Sequence, residues 1–191
     1  MMRIITGKAR GVRLKTLKGD ATRPTTERVK EAVFSMIQFD IEGREVLDLF
    51  AGSGQMGLEA LSRGAKSAVL IDQSKDAIKI IEENATKTKL IADCVIQQSN
   101  CMDYIRRNRG KKFDIVFMDP PYASDLYRLV LRALMESDCL KPTTMIICES
   151  DTQEIFAEDT ELFRQFEVKK VSRYSKTVIT ILKATKSKET L

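Results

Sequence analysis

Regular alternation of strand-like and helix-like segments from Arg44 onward is the sequence feature that most constrains the fold. Short apolar runs rich in β-branched residues alternate with longer segments in which apolar residues recur at helical spacing. This alternation predicts an α/β fold, a doubly wound parallel sheet with helices on both faces. The predicted strands are 45–50, 67–72, 92–97, 113–118 and 143–149. The predicted helices are 55–63, 75–89, 100–108, 124–138 and 151–158.

The end of the chain follows a different pattern. Two β-rich runs, 164–171 and 176–183, are separated only by residues 172–175. A parallel crossover needs about a dozen residues, so these runs are expected to form an antiparallel hairpin. The sequence shows no internal repeat, and we expect one domain over 1–191 with its core at 44–183 and a disordered tail at 184–191.

The N-terminal part, residues 1–40, is predicted to be a basic extension of that core. Segments 3–7 and 11–15 are typical of two short strands around a glycine-containing turn, and Thr25 is a candidate N-cap for a helix that ends before Gly43. The first 30 residues contain nine Lys or Arg and two Asp or Glu, whereas the other 161 residues together carry a net charge of −2. This imbalance favours a polyanionic partner, above all nucleic acid, although a solvated N-terminus remains an alternative. The candidate RNA-binding residues are Lys8, Arg10, Arg13, Lys15 and Arg23.

Composition excludes several classes of chemistry. The chain contains no histidine, which removes Ser-His-Asp and Cys-His catalysis. Its four cysteines form no C-x-x-C pair, so we expect free thiols in a reducing compartment and no metal. No uninterrupted apolar run exceeds four residues, so we expect neither a membrane span nor a signal peptide, and a cytoplasmic protein.

The segment from Gly52 to Gly57 has the spacing G-x-G-x-x-G between a predicted strand and a predicted helix, and Asp72 ends the next strand. This spacing is typical of a dinucleotide-binding loop. Asp48, however, places a carboxylate where a pyrophosphate would be repelled, and so favours a cationic ligand such as S-adenosylmethionine. Asp72 is a candidate acceptor for the ribose hydroxyls. A capping or turn role is the alternative for Asp48.

Asn100 follows the third predicted strand and is a second candidate ligand-binding residue. Its amide could accept from an adenine amine and donate to a ring nitrogen, but an N-cap role is equally consistent with its position. Backbone N–H groups of Cys101 and Met102 could contribute. The remaining candidate cofactor-binding residues are Phe50, Ala51, Gly52, Ser53, Gly54, Gly57, Gln73 and Asp119.

The predicted catalytic residues are Asp119, Pro120, Pro121 and Tyr122, directly after the apolar run 115–118. Proline lacks an N–H, so the Pro-Pro step leaves only acceptors on this stretch of main chain. Together with the carboxylate, these acceptors suit the exocyclic amino group of a nucleobase, on which Tyr122 could stack. A buried core position is the alternative for Tyr122.

Taken together, these motifs closely resemble the class I S-adenosylmethionine-dependent methyltransferases and, within them, the RsmD family. The resemblance implies methyl transfer to N2 of a guanine in 16S ribosomal RNA and a seven-stranded sheet of order 3-2-1-4-5-7-6 with strand 7 reversed. Two positions depart from the family pattern: Asn100 replaces an aspartate, and Ser175 replaces a glycine. The segments that carry the resemblance are 3–7, 10–14, 22–25, 28–32, 48–54, 59–65 and 119–122.

The resemblance also implies S-adenosylhomocysteine as product and 16S rRNA, the small ribosomal subunit or an assembly intermediate as partner, and we expect a monomer. DNA adenine N6 and a protein glutamine are alternative acceptors for the same chemistry. A nicotinamide-dependent oxidoreductase is permitted by the glycine spacing alone, but it leaves Asp48 and the segment 119–122 unexplained. A non-catalytic RNA-binding protein would bind RNA without binding the cofactor.

Overall fold

The computed structural model describes residues 2–17, 27–120, 124–151, 155 and 159–185. Helices and strands alternate along most of this length, as the periodicity predicts. The helices are α1 Glu27–Met36, α2 Gln55–Ser62, α3 Lys75–Lys87, α4 Cys101–Arg107, α5 Ser124–Glu136 and α6 Thr160–Phe163. The strands are β1 Glu45–Asp48, β2 Ser67–Asp72, β3 Cys94–Gln98, β4 Phe113–Met118, β5 Leu140–Ser150, β6 Phe166–Tyr174 and β7 Thr177–Ala184.

The seven strands form one sheet of order β3-β2-β1-β4-β5-β7-β6, which confirms the predicted topology. Strands β1 to β5 are parallel, whereas β7 is antiparallel to both β5 and β6. The short connection between β6 and β7 explains the reversal, because two residues can close a hairpin but not a crossover. All five parallel strands therefore present their carboxyl ends at the same edge, which we call the carboxyl edge.

Both faces of the sheet are covered by apolar side chains. Every residue of β4 is buried, as expected for a central parallel strand. One face packs against α1, α2, α3 and the N-terminal segment 2–15, which contributes Ile4, Ala9 and Leu14. The other face packs against α4 and α5 and the region around α6. The N-terminal segment is thus part of the core and not an appendage to it.

Several boundaries differ from the prediction. Segments 3–7 and 11–15 form a single antiparallel bridge between Arg3 and Arg13, with flanking backbone hydrogen bonds, instead of two strands. Side-chain packing and side-chain hydrogen bonds from α2 and α3, more than a strand ladder, hold this segment. Strand β3 begins at Cys94 because a 3-10 turn occupies Ile91–Asp93.

The helix predicted at 151–158 lies mostly outside the described residues, and its described members, Asp151 and Ile155, are not helical. The helix of this region is the four-residue α6, which begins beyond the predicted range. The candidate N-cap Thr25 also lies outside the described residues. At the C-terminus, β7 continues through Ala184, so the described chain stays ordered into the first position of the predicted tail.

All four cysteines are free thiols, as predicted from their spacing. Within the described ranges, the helices are all too short or too polar to traverse a lipid bilayer.

Candidate active site at the carboxyl edge

Three of the predicted site carboxylates meet at the carboxyl edge of the sheet. Asp48 is the last residue of β1, Asp72 is the last residue of β2, and Asp119 follows the last residue of β4. Strand β1 lies between β2 and β4, so these acids stand on three adjacent strands. Ligands of open α/β sheets bind at this edge, where loops from neighbouring strands diverge.

The glycine loop between β1 and α2 has the backbone conformation that its sequence predicts. Gly52 and Gly54 have φ angles of 55° and 77°, in the left-handed region that favours glycine. Gly57 serves packing: a Cβ atom there would lie 2.1 Å from Cδ2 of Leu70 on β2. The loop therefore turns tightly, and α2 lies close against the sheet.

Asp48 is buried at 4% exposure beneath this loop. Desolvation raises the pKa of its carboxyl to about 7, and the nearby charge of Asp72 acts in the same direction, while hydrogen bonds from the Phe50 and Gly57 backbones oppose the shift. Among the residues that the structure describes, no donor reaches its Oδ2 atom. A buried carboxylate oxygen without a donor is suited to an ammonium group, which would supply both a hydrogen bond and a compensating charge.

Asp72 connects the end of β2 to the glycine loop. Its Oδ2 accepts from the Gly52 N–H at 2.9 Å and its Oδ1 accepts from the Ser74 N–H at 2.8 Å. Each carboxylate oxygen has a further lone pair. The side chain is half-buried, so those lone pairs are available to the hydroxyl groups of a ligand.

The loop after β3 lies beside Asp72, whose backbone carbonyl accepts from the Ser99 N–H at 3.0 Å. Asn100 is the N-cap of α4: its Oδ1 accepts from the Met102 N–H at 2.9 Å, so that N–H is already engaged. The thiol of Cys101 points into the core, where burial raises its pKa. Gln73 is exposed, and its carbonyl accepts from Gln98. The amide NH₂ of Asn100 remains on the surface of this loop.

Asp119 is exposed at the carboxyl edge, whereas Pro120 is buried. Desolvation by the surrounding protein, then the negative charges of Glu149 and Asp48, raise the pKa of Asp119 well above its ordinary value. Because the residue is also open to solvent, its carboxylate stays within reach of a substrate. Pro121 and Tyr122 lie outside the described residues.

Glu149, the next-to-last residue of β5, is a candidate site residue that the motifs missed. Its charge acts on Asp119, and its backbone carbonyl accepts a hydrogen bond from the Tyr127 hydroxyl. Its position in the sequence could have identified it, because an acid directly after the buried run 145–148 falls at the same edge as Asp48, Asp72 and Asp119. Four carboxylates therefore surround the proposed reaction site, which opposes a phosphate ligand and favours a cationic one.

The N-terminal segment is joined to the glycine loop by a buried side chain of α3. Asn84 of α3 is fully buried, and its Nδ2 donates to the Ser53 carbonyl at 2.9 Å and to the Lys15 carbonyl at 3.0 Å. Its Oδ1 accepts from the Lys15 N–H at 2.8 Å. The Ser53 hydroxyl contacts Met2 Sδ at 3.1 Å. Sequence reasoning assigned no role to Asn84, because nothing in a helical asparagine indicates which loops it joins.

The candidate RNA-binding residues are spread along this segment. Lys8 lies beside the C-terminal end of α2, since its N–H donates to the Ser62 carbonyl at 2.8 Å. Helix α2 starts at the glycine loop, so Lys8 and Arg10 lie toward the opposite edge of the sheet. Lys15 is nearer the loop and forms an ion pair with Glu83. Arg13 is exposed, and Arg23 lies outside the described residues.

Comparison with solved structures defines the class of protein. The yhhF protein of Escherichia coli, which is described as a methyltransferase, aligns with this chain with a TM-score of 0.82 at 28% identity, covering 96% of this chain and 98% of that chain. The strand order and the reversed seventh strand are those of class I methyltransferases. The protein is a methyltransferase of this fold.

Sequence relatives then define the family. A family model described as "Conserved hypothetical protein 95" matches residues 2–183. Ribosomal RNA small subunit methyltransferase D of Haemophilus influenzae is 37% identical over 153 residues, covering 78% of this chain and 79% of that protein. The Escherichia coli K12 protein of the same name is 34% identical over 152 residues, covering 80% of this chain and 76% of its own length. The chain belongs to the family that this model and these relatives share, which confirms the resemblance to RsmD proteins.

Proposed function

We propose that the protein transfers a methyl group from S-adenosylmethionine to the exocyclic N2 of a guanine in 16S ribosomal RNA. The observation that carries this proposal is the set of carboxylates at the ends of β1, β2 and β4, one of which, Asp48, has a buried oxygen that no donor among the described residues reaches. The names of the relatives, ribosomal RNA small subunit methyltransferase D, support the substrate class.

The residues present fit the proposed cofactor, which supplies an electrophilic methyl group on a sulfonium. Asp48 would accept from its ammonium, Asp72 would accept from its ribose hydroxyls, and Asn100 would offer its amide to the adenine. The tight turn at Gly52 and Gly54 lets the backbone approach the ligand closely. The remaining proposed contacts are the backbones of Phe50, Ala51, Ser53, Gly57, Gln73 and Cys101.

The exocyclic amine of guanine is a weak nucleophile because its lone pair is delocalised into the ring. Asp119 and the Pro120 carbonyl would accept its two hydrogens, which turns the nitrogen toward tetrahedral geometry and stabilises the positive charge that develops there. An ammonium bound to Asp48 would also neutralise one of the charges that raise the pKa of Asp119. Cofactor binding would thus favour the ionised form of Asp119. This chemistry assigns no step to a metal.

The substrate base must leave its stack to reach Asp119, and Tyr122 would then stack on it, a contact worth about 1–3 kcal/mol. The basic residues Lys8, Arg10, Arg13, Lys15 and Arg23 would contact phosphates without reading sequence. We propose 16S rRNA, free or within a small subunit or its assembly intermediate, as the partner, which places the enzyme in the cytoplasm. We also propose that the enzyme acts as a monomer.

Replacement of Asp119 by alanine tests the proposal. We expect methyl transfer to 16S rRNA to fall by about 100-fold or more, because the developing charge loses its principal acceptor. Calorimetry should show cofactor affinity within about threefold of the unmodified protein, since Asp119 acts mainly on the substrate amine. Asp93→Ala, an exposed acid in the 3-10 turn at the opposite edge of the sheet, is the matched control. Unchanged transfer by Asp119→Ala would refute the assigned role.

A further inference from the structure

The turn between β6 and β7 lies beside the reaction site, and we propose that it is a second RNA contact. This surface consists of Arg173, Tyr174, Ser175 and Lys176 and is called the hairpin tip below. The inference rests on the proposed function, because it assumes that RNA reaches Asp119. It assigns to RNA a part of the chain that lies about 160 residues from the basic N-terminus.

Strand register fixes where the hairpin tip lies. Met118 of β4 pairs with Cys148 of β5, and Cys148 pairs with Thr180 of β7. Because β7 is antiparallel to β5, its first residues extend beyond this level in the direction of Asp119. The tip lies two strand spacings, about 10 Å, to the side of β4, and Lys176 lies about three residues, or 10 Å, beyond the level of Asp119.

The cations of the hairpin tip form no ion pair with any residue that the structure describes. Arg173 and Lys176 are exposed, and no acid in the described parts of the chain lies within ion-pair distance of either. Lys169, on the same hairpin but nearer the opposite edge, pairs with Glu167. Lys15 of the N-terminal segment pairs with Glu83. Two unpaired positive charges beside four carboxylates are suited to phosphates that flank a base held at those carboxylates.

The hairpin tip is also held in place. Tyr174 is half-buried against the apolar face that includes α1, and the Ser172 hydroxyl contacts Met36 Sδ at 3.9 Å. Tyr174 pairs with Thr177, which leaves a two-residue turn in which Ser175 has a φ of 57°. Hairpin turns of this length favour positive φ, so the turn forms although serine stands at a position that favours glycine. Charges on a fixed turn bind with less loss of conformational entropy than charges on a loose loop.

The distances match a strand of RNA. Neighbouring phosphates follow one another every few ångströms along a strand, so a base turned out toward Asp119 leaves phosphates a few nucleotides away at the distance of the tip. The N-terminal segment contacts the α2 and α3 side of the sheet, and the tip stands on the side of β5. Lys15, which lies near the glycine loop, and the hairpin tip therefore lie on opposite sides of Asp119 along the sheet, and an RNA strand that contacts both must cross the site.

The test removes the two charges together, as Arg173→Ala with Lys176→Ala. The matched control is Lys169→Ala with Lys183→Ala, which removes two charges from the same two strands near the opposite edge. A 16S rRNA transcript and small subunits from a strain lacking the enzyme are the two probes. Affinity is measured over a range of salt concentrations, and cofactor binding is measured by calorimetry.

We expect the slope of log affinity against log salt to become shallower by about 1.4 in the tip variant, the value for two phosphate contacts on a single strand. The KM for RNA should rise while kcat and cofactor affinity stay unchanged, and the control should match the unmodified protein. Equal slopes and KM values in all three proteins, with methyl transfer intact, would overturn this inference alone. Failure of the unmodified protein to methylate either RNA would overturn the proposed function and this inference with it.

Discussion

Burial gives Asp48 the properties expected of a carboxylate that binds a cationic ligand. In water its pKa would lie near 3.8, but desolvation raises it to about 7 and leaves one oxygen without a donor in the described part of the protein. The folded protein therefore carries a destabilising group that a bound ammonium would compensate. Such local destabilisation is common where function and stability compete.

This shift predicts a pH dependence of cofactor binding. Protonation below about pH 7 removes the charge that attracts the ammonium, so the Kd for S-adenosylmethionine should rise by up to about tenfold per pH unit as the pH falls. Isothermal titration between pH 5.5 and 8.5 measures this dependence. Asp48→Asn should bind weakly at every pH and lose the dependence. A flat profile in the unmodified protein would contradict the assignment of Asp48.

Asp48→Asn should also change how the stability of the protein depends on pH. A carboxyl whose pKa is raised on folding destabilises the folded state increasingly as the pH rises from the unfolded value, 3.8, to about 7. Asp48→Asn should therefore raise the Tm more at pH 8 than at pH 5, as measured by calorimetry. An equal change at both pH values would show that the carboxyl is not buried as described.

Single residues also show the limit of sequence reasoning. The spacing of Gly52, Gly54 and Asp72 was sufficient to predict the glycine loop. The two glycines adopt positive φ angles, and Asp72 accepts a hydrogen bond from the Gly52 N–H. Asn100 left two interpretations open, and the structure shows that it caps α4. Glu149 was missed because its importance depends on Asp119, which is 30 residues away in sequence and on the neighbouring strand.

Among the elements of the fold, α3 connects the N-terminal segment to the glycine loop through Asn84. One buried amide bonds to Lys15 on one side and to Ser53 on the other. We infer that Asn84 is a positioning residue for the cofactor loop. It touches no reacting atom, so its effect should fall on binding of the cofactor and not on the methyl transfer step itself.

Asn84→Ala should therefore weaken cofactor binding by about three- to tenfold, the usual effect of losing one hydrogen bond that holds a binding loop. Thr88→Val is the control, because it removes a buried hydroxyl that bonds only to carbonyls of α3. Kd by calorimetry and Tm should be measured for both. Equal Kd values in the two variants at comparable Tm would mean that Asn84 only stabilises the helix.

Periodicity predicted the elements of the central sheet well, because buried parallel strands and amphipathic helices have distinct repeats. It failed at the N-terminus, where segments 3–7 and 11–15 have strand-like composition but form only one bridge. Besides a few backbone hydrogen bonds between them, these segments bond to Glu59, Ser62 and Asn84, side chains on helices that are remote in sequence. No local pattern contains that information.

The whole molecule depends on a buried ion pair that joins its N-terminal and central parts. Lys30 of α1 and Glu59 of α2 have no exposed side-chain surface, and their Nζ and Oε2 atoms lie 3.3 Å apart. Glu59 also accepts from the Ile5 N–H at 2.8 Å, the Thr6 N–H at 3.0 Å and Arg63 at 2.8 Å. Lys30 donates to the Arg3 carbonyl at 2.5 Å, and burial lowers its pKa. We propose that residues 1–191 act as a single domain.

Glu59→Leu should destabilise the protein by about 3–5 kcal/mol, because it leaves the buried Lys30 without its ion-pair partner and two backbone N–H groups without an acceptor. Lys30→Met should cost less, since Arg63 and the two N–H groups still compensate Glu59. Urea denaturation of both variants measures the difference. A larger loss in Lys30→Met would show that the lysine, and not the glutamate, holds this junction.

This junction also affects how RNA binding is tested. Removal of the first residues would expose Glu59 and withdraw Met2 and Lys15 from the support of the glycine loop, so truncation would damage the cofactor site. Substitution of individual exposed cations such as Arg10 and Arg13 avoids that damage. The N-terminal segment is then assayed for its charge alone.

The sequence was sufficient to predict the strands and helices of the central sheet, the antiparallel hairpin at its end, the glycine loop and the acids that end three strands, and its motifs carry the resemblance that implied the strand order and the family. Each of these depends on residues that are close together in the chain, where backbone preferences and repeat lengths act. Long-range packing was needed to show that the N-terminal segment supports the glycine loop, that Glu149 stands beside Asp119 and that the β6–β7 turn lies at the carboxyl edge. These relations arise from strand order and long-range packing, which bring together residues that no local spacing connects.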